Sequence, residues 1–329
     1  MSVRTEITAT PMAKRKAVKV VGFFIGLFVV FLCLNVATEG KFLSLLNITT
    51  ILTHSMYPAI LAFGMMFIFA AGIIDLSIGA KVILSANVGL IFAYDFGLGY
   101  PGLILGAVLC CIVCQVISAL LTISLNIPSW IAGLGFALVL EAIGAEYSTT
   151  RIRMGLTSVI NMTDDMRAFG FMPTMMIVML VCFVITFVLF NYTKIGINIR
   201  AIGSNANVAE AMGVNKKKTI IIGAVVGAVF IGVAAVVQAS YTTRIEAATG
   251  LASLSRIFNA LAVVLLAQSI SRIFNSIVGV LISAVVLMAV FNALTMLKVP
   301  SGTWQSVALG AIIVVCGVLA NIGYKGVVK

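Results

Sequence analysis

Charge is what this sequence has least of. Only 9% of its 329 residues are charged, against 62% hydrophobic, and the mean hydropathy is +1.20. A soluble domain carries about 25% charged residues, because its surface must be hydrated. A chain this poor in charge cannot cover itself in water, which excludes the soluble globular class. Histidine is equally scarce. His54 is the only one, and it falls near one end of an apolar run, where an interfacial hydrogen bond suits it better than catalysis. No Gly-x-x-x-x-Gly-Lys-Ser/Thr, His-Glu-x-x-His, Gly-x-Ser-x-Gly or carboxylate cluster occurs, so P-loop nucleotide binding, zincin hydrolysis and nucleophile-elbow chemistry lose their signatures. The six cysteines (Cys33, Cys110, Cys111, Cys114, Cys182, Cys316) all lie in apolar stretches. Cys111 and Cys114 have a redox-like spacing, but no second pair or nearby histidine accompanies them, so they read as small packing residues. No metal, no cofactor and no enzymatic centre is expected.

What the chain does have is long apolar runs. A bilayer core about 30 Å thick needs roughly 20 apolar residues per spanning helix. Ten segments meet or approach that length: 17–36, 51–74, 77–95, 101–125, 128–146, 172–192, 219–240, 251–268, 273–297 and 302–322. They are continuously apolar, whereas barrel strands alternate over ~10 residues. The expected fold is all-α: one polytopic transmembrane helix bundle over 1–329, of about ten spans, with both termini cytoplasmic. The first apolar run exceeds a signal-peptide core of 7–15 residues and shows no convincing cleavage site, so it reads as an uncleaved first helix behind a tail at 1–16.

The net charge of +11 sets orientation and does not point to nucleic acid. Of 21 basic residues, thirteen fall on the expected cytoplasmic side, among them Lys14, Arg15, Lys16, Arg200, Lys216, Lys217, Lys218 and Arg272. Six fall outside (Lys41, Arg151, Arg153, Arg167, Arg244 and Lys298), while Lys81 and Arg256 lie inside proposed spans. This skew follows the positive-inside rule, with a modest attraction to anionic membrane lipid.

Most connections are short, which packs neighbouring helices antiparallel. Glycines four apart (Gly22/Gly26, Gly102/Gly106, Gly223/Gly227) let backbones approach within the bundle. Two connections are long: an outer one from Tyr147 to Phe171, amphipathic enough to lie on the surface, and an inner one over 193–218. In the inner one, Ser204 or Asn205 can cap a helix of about two turns that Gly213 ends, with Ala206, Ala209, Glu210 and Ala211 between. So short a helix suits either a cleft on another protein or a plain surface tie between two spans.

Three stretches carry a resemblance. Gly196–Gly213, with Glu210-Ala211-Met212-Gly213, resembles the Glu-Ala-Ala…Gly coupling loop of ABC importer permeases of the ribose/galactose-type (carbohydrate) branch. Gly72-Ile73-Ile74-Asp75-Leu76-Ser77-Ile78-Gly79 is similar to that branch's Gly-Ile-Asp-Leu-Ser-Val-Gly signature. Asn126-Ile127-Pro128-Ser129-Trp130-Ile131-Ala132-Gly133-Leu134-Gly135 looks like its NIP segment. They keep the family's order and spacing, and the resemblance covers roughly 45–320. The resemblance implies a multi-pass subunit of the bacterial cytoplasmic (inner) membrane. Its partners would be a cytoplasmic ABC ATPase, a second permease subunit and an extracytoplasmic solute-binding protein. Ala206, Ala209, Glu210, Ala211 and Gly213 would then couple to the ATPase, and Arg151, Arg153, Arg167 and Arg244 would dock the binding protein. The bland alternative for these arginines is local pairing with Asp164, Asp165 and Glu246.

Asp75, with Ser77 and Gly79, either lines the pathway or braces and caps the turn before the third span. Asn87, Gln115, Asn126, Asn259 and Asn292 are intramembrane candidates for a polar pathway or for joining helices. Glu141 and Glu146 would face a water-filled entrance. The chain departs from the family after the coupling loop. At 254–272 it keeps Ala262-Val263-Val264 but lacks the acid and the glycine pair, which predicts a heterodimer rather than a homodimer. The rivals are an ion-gradient-driven secondary transporter, which needs titratable groups at mid-span, an ABC permease for nucleosides, and a structural assembly protein.

Overall fold

The computed structural model describes residues 11–125, 127–271, 273–300 and 302–321, and among them no strand occurs. Twelve helices follow one another: α1 (Pro11–Ala37), α2 (Leu45–Phe69), α3 (Ile78–Tyr94), α4 (Gly99–Leu125), α5 (Ser129–Arg153), α6 (Thr174–Tyr192), α7 (Lys194–Ser204), α8 (Ala206–Ala211), α9 (Lys216–Thr242), α10 (Ser255–Ser269), α11 (Ser276–Met296) and α12 (Thr303–Asn321). Each of the ten expected segments falls on one of them. Eight are long and apolar enough to cross a membrane, and the apolar stretches Ile78–Tyr94 and Trp304–Leu319 are shorter. The protein is a polytopic helical bundle. Of the tail expected at 1–16, α1 already covers residues from Pro11 on, and residues 1–10 lie outside the described residues, as do Asn126 and Arg272.

Polar caps start the helices where the apolar runs begin. The side chain of Ser44 accepts the Asn47 amide at the start of α2, Asn215 accepts Lys218 at the start of α9, and Asn275 accepts Ile277 at the start of α11. Several boundaries differ from expectation, α1 starting at Pro11 and α2 at Leu45, and two of the differences bear on the site. The second segment does not run to 74: α2 ends at Phe69, because Gly72 turns the chain with a φ of +81° and Asp75 folds back against the bundle. The fifth does not stop at 146. It runs to Arg153, with Arg151 and Arg153 in a last turn whose dipole favours cations, and this shortens the connection that was expected to begin at Tyr147. The remainder of that connection holds two 3-10 turns, Asp164–Met166 and Ala168–Gly170.

α2 and α9 form the interior, with 78% and 67% of their apolar windows buried, whereas the window in α1 is 0% buried and lies on the perimeter. α2 and α9 cross backbone to backbone. A Cβ on Gly64 would sit 2.6 Å from the Gly227 carbonyl oxygen, and one on Gly227 would sit 2.7 Å from that of Gly64. Around them Phe63, Phe67, Phe230 and Ile231 fill the core, with the Phe67 and Phe230 rings stacked at 5.9 Å. α3 packs on α4, α5 on α3, and α10–α12 form a second group against α2. Gly22 and Gly26 of α1 meet nothing within 4 Å, so only the other two glycine pairs mediate close contacts.

Candidate functional site

α6 runs the length of the bundle, with the 154–173 connection at its start and α7–α8 at its finish. These two ends, and the polar groups between them, contain nearly every residue singled out by sequence.

Between α2 and α3, Asp75 lies only 2% exposed at the centre of a closed network. Its Oδ1 accepts the Ser77 amide at 2.9 Å and the Ser77 hydroxyl at 2.6 Å. Its Oδ2 accepts the Lys81 ammonium at 2.5 Å, the Gln115 amide at 2.9 Å and the Ser118 hydroxyl at 3.0 Å. Lys81, fully buried, also donates to Gln115 Oε1 at 2.7 Å and lies over the Phe136 ring. An isolated buried charge costs several kcal/mol, and a partner with saturated hydrogen bonding offsets that cost. Every carboxylate lone pair is engaged, so the arrangement ties the turn to α3 and α4 and leaves no titratable oxygen free. The signal for Lys81 was present in the sequence, since a second charge of opposite sign follows Asp75 by six residues in an otherwise apolar stretch.

The 193–218 connection contains two helices where one was expected. α7 packs on α6 and α9, and at its Gly203 a Cβ would overlap the Ala70 carbonyl at the end of α2. α8 is capped by Asn205, whose side chain accepts the Val208 amide at 3.2 Å, and Gly213 follows with a φ of +85°. Ala209 is its one buried residue, and Ala206 is partly covered. Glu210, Ala211 and Gly213 are exposed, and Val208 and Met212 are 58% and 80% exposed. This small helix thus rests on one alanine and presents the rest of its surface outward.

Between α9 and α10 the chain leaves helical geometry, with left-handed φ at Thr243 and Leu251. Irregular backbone at membrane depth must find partners inside the protein. Here it does. Asn87 donates to the Ile245 carbonyl at 3.0 Å, and Glu141, 4% exposed, accepts the Leu251 and Ser253 amides at 2.8 and 2.9 Å. Gly79 provides the room: a Cβ there would overlap the Ser253 carbonyl. Glu141 therefore does not face a water-filled entrance, and Glu146 pairs with Arg153 at 3.7 Å.

Beside this segment, at the 154–173 end, lies a cavity of about 310 Å³ whose polar lining is Thr53, His54, Tyr57, Gln238, Tyr241, Ser255, Arg256 and Asn259. The His54 and Tyr241 rings meet edge-on at 5.9 Å. Of these residues only Asn259 was singled out as a pathway candidate. The others come from α2, α9 and the start of α10, and no sequence spacing brings them together. Asn292 lies outside the lining, with a buried Oδ1 that has no partner among the described residues. Among the described residues, no three His, Cys, Asp or Glu side chains gather as a metal site.

The four arginines expected at a docking face are engaged locally. Arg151 donates to the Thr157 carbonyl and faces Asp95 at 3.9 Å. Arg167 pairs with Asp164 at 2.9 Å and stacks over Phe171, and Arg244 pairs with Glu246 at 2.9 Å.

Comparison with known proteins places this architecture. Residues 47–317 match the family model described as branched-chain amino acid transport system / permease component. The ribose import permease protein of Bacillus subtilis is 30% identical over 309 residues, covering 91% of each chain. The galactose/methyl galactoside import permease protein of Escherichia coli is 26% identical over 325 residues, covering 91% of this chain and 94% of that one. Its counterpart in Haemophilus influenzae is 23% identical over 310 residues, covering 88% and 90%. No solved structure matches. By its matched span, its multi-pass inner-membrane helices and its helix pair at one end, the chain belongs to the family of branched-chain amino acid transport system permease components and is a transport subunit, not an enzyme.

Proposed function

We propose that this chain is the membrane permease of an ABC importer for a sugar or a similar small polar solute, working with a separate ATPase and an extracytoplasmic binding protein. The relatives named above are import permeases for ribose and galactose, and they align over nine-tenths of the chain. The observation that carries the reading is the α7–α8 pair. It is a non-spanning unit anchored to α2, α6 and α9, whose last helix shows Val208, Glu210, Ala211 and Met212 to the outside. An apolar knob on a firmly seated base is suited to a groove on an ATPase, and rigid seating lets motion pass to the spans.

The basic run Lys216–Lys218 beside α8 supports a cytoplasmic position for this end, which puts both termini inside and the cavity outside. The amides, hydroxyl and aromatic rings of the cavity are groups that recognise a polyol. Asp75 and Ser77 brace a turn in this reading, Gly79 and Asn87 seat the irregular segment, and Asn259 faces solute. The missing acid and glycines at 254–272 favour a heterodimer with a more typical permease.

The test is reconstitution in proteoliposomes with the partner permease, the cognate ATPase and the binding protein. Sugar-loaded binding protein is expected to stimulate ATP hydrolysis, and Ala211→Arg is expected to abolish the stimulation. Equal hydrolysis with and without the loaded binding protein would overturn the reading.

A further inference from the structure

The cavity wall carries a charge that no group among the described residues answers. Arg256 lines it, half-buried, and makes no ion pair or hydrogen bond among the described residues. None of the residues lining the cavity is acidic. Arg256 stands in the first turn of α10, whose leading amides are already bonded within the preceding 3-10 turn and to Glu141. The Tyr57 hydroxyl, in the same wall, is buried without a partner among the described residues. A guanidinium and a free hydroxyl donor in one wall form a donor pair lacking its acceptor, and an arginine presents a planar fork that matches a carboxylate. The other walls supply amides from Gln238 and Asn259 and the rings of His54 and Tyr241, which suit the hydroxyls and apolar face of a pyranose.

We infer that the cavity takes an acidic sugar, with its carboxylate on Arg256 and the Tyr57 hydroxyl and its ring between the amides and the aromatic side chains. This rests on the importer reading and narrows its substrate class. A neutral sugar would leave the cation and the hydroxyl desolvated without an acceptor, which penalises it against its acid analogue.

Two measurements separate this inference from the reading beneath it. The first is uptake of D-galacturonate and D-galactose by the reconstituted importer. The second needs no transport: Thr53→Cys places a thiol in the cavity wall. Its modification is followed, above the background of the parent protein, with anionic and cationic methanethiosulfonate reagents. The anionic reagent is expected to react faster. Galacturonate is expected to protect at concentrations at least about tenfold below galactose, the ratio a charge-assisted hydrogen bond commands. Arg256→Gln should erase both preferences, and Arg256→Lys should keep the reagent preference. Galactose uptake without galacturonate preference in either assay would overturn the acidic-sugar inference while leaving the importer intact. Protection by inorganic phosphate equal to that by galacturonate would reduce the cavity to a plain anion site and overturn it as well. Uptake of neither sugar, together with loss of coupled hydrolysis, would fail the importer reading itself.

Discussion

Lys81 shows how a single side chain can fix a turn within lipid. Its ammonium and the Asp75 carboxylate neutralise each other at 2.5 Å, and Gln115 and Ser118 complete the shell. Removing one partner strands the other, so Lys81→Met is expected to destabilise by about 3–5 kcal/mol. The double change Asp75→Leu with Lys81→Met should recover most of that, because two well-packed apolar residues replace the pair at little cost. Thermal unfolding of the detergent-solubilised protein reads the difference, and a double variant as unstable as the single would refute the account. Asp75 was legible in the sequence as a turn residue because Asp-x-Ser-x-Gly is local chemistry. Its partners were not, since Gln115 and Ser118 arrive from another helix and only tertiary packing brings them near. The same holds for Arg256, which in sequence does no more than weaken an apolar run. Its place beside Tyr57 and Asn259 depends on how α2 and α10 meet.

At the scale of the element, the helices themselves were the most legible feature, because continuous apolarity has a physical length requirement in a bilayer. What escaped was where a helix stops against a fold-back, as at Gly72, and the existence of α7, whose apolar residues are too few for a span. The α2–α9 crossing gives a sharp expectation. Gly227→Val places a branched side chain where the Gly64 carbonyl oxygen already sits 2.7 Å from an added Cβ, so the two helices must part. Overpacking costs typically 1–3 kcal/mol, and with backbone as the obstacle the loss is expected at the upper end, seen as a lowered midpoint in thermal unfolding. Gly26→Val, where nothing lies within 4 Å, should leave the midpoint unchanged. For α8, Ala211→Arg is expected to weaken capture of the ATPase on the order of tenfold or more while the unfolding midpoint of the permease stays put. A variant that still binds would free α8 of the proposed role.

For the whole molecule, the departure at 254–272 makes stoichiometry a sharp question. Expressed alone, the chain is expected to bind ATPase poorly. Co-expressed with a more typical permease, it is expected to purify as a one-to-one pair, with mass photometry as the readout. A stable homodimer that binds ATPase would refute this. The interrupted approach to α10 also bears on how the chain is made. Its apolar window has a mean hydropathy of 1.3, against 2.9 for α9 and 2.6 for α11, and the backbone before it relies on Asn87 and Glu141 for its hydrogen bonds. Unpaired backbone groups in hydrocarbon cost several kcal/mol each, so this stretch cannot wait in the bilayer alone. α3 and α5 leave the ribosome first and offer those side chains, so the earlier half of the protein serves as the receptacle into which α10 is delivered, and the order of synthesis becomes an order of assembly.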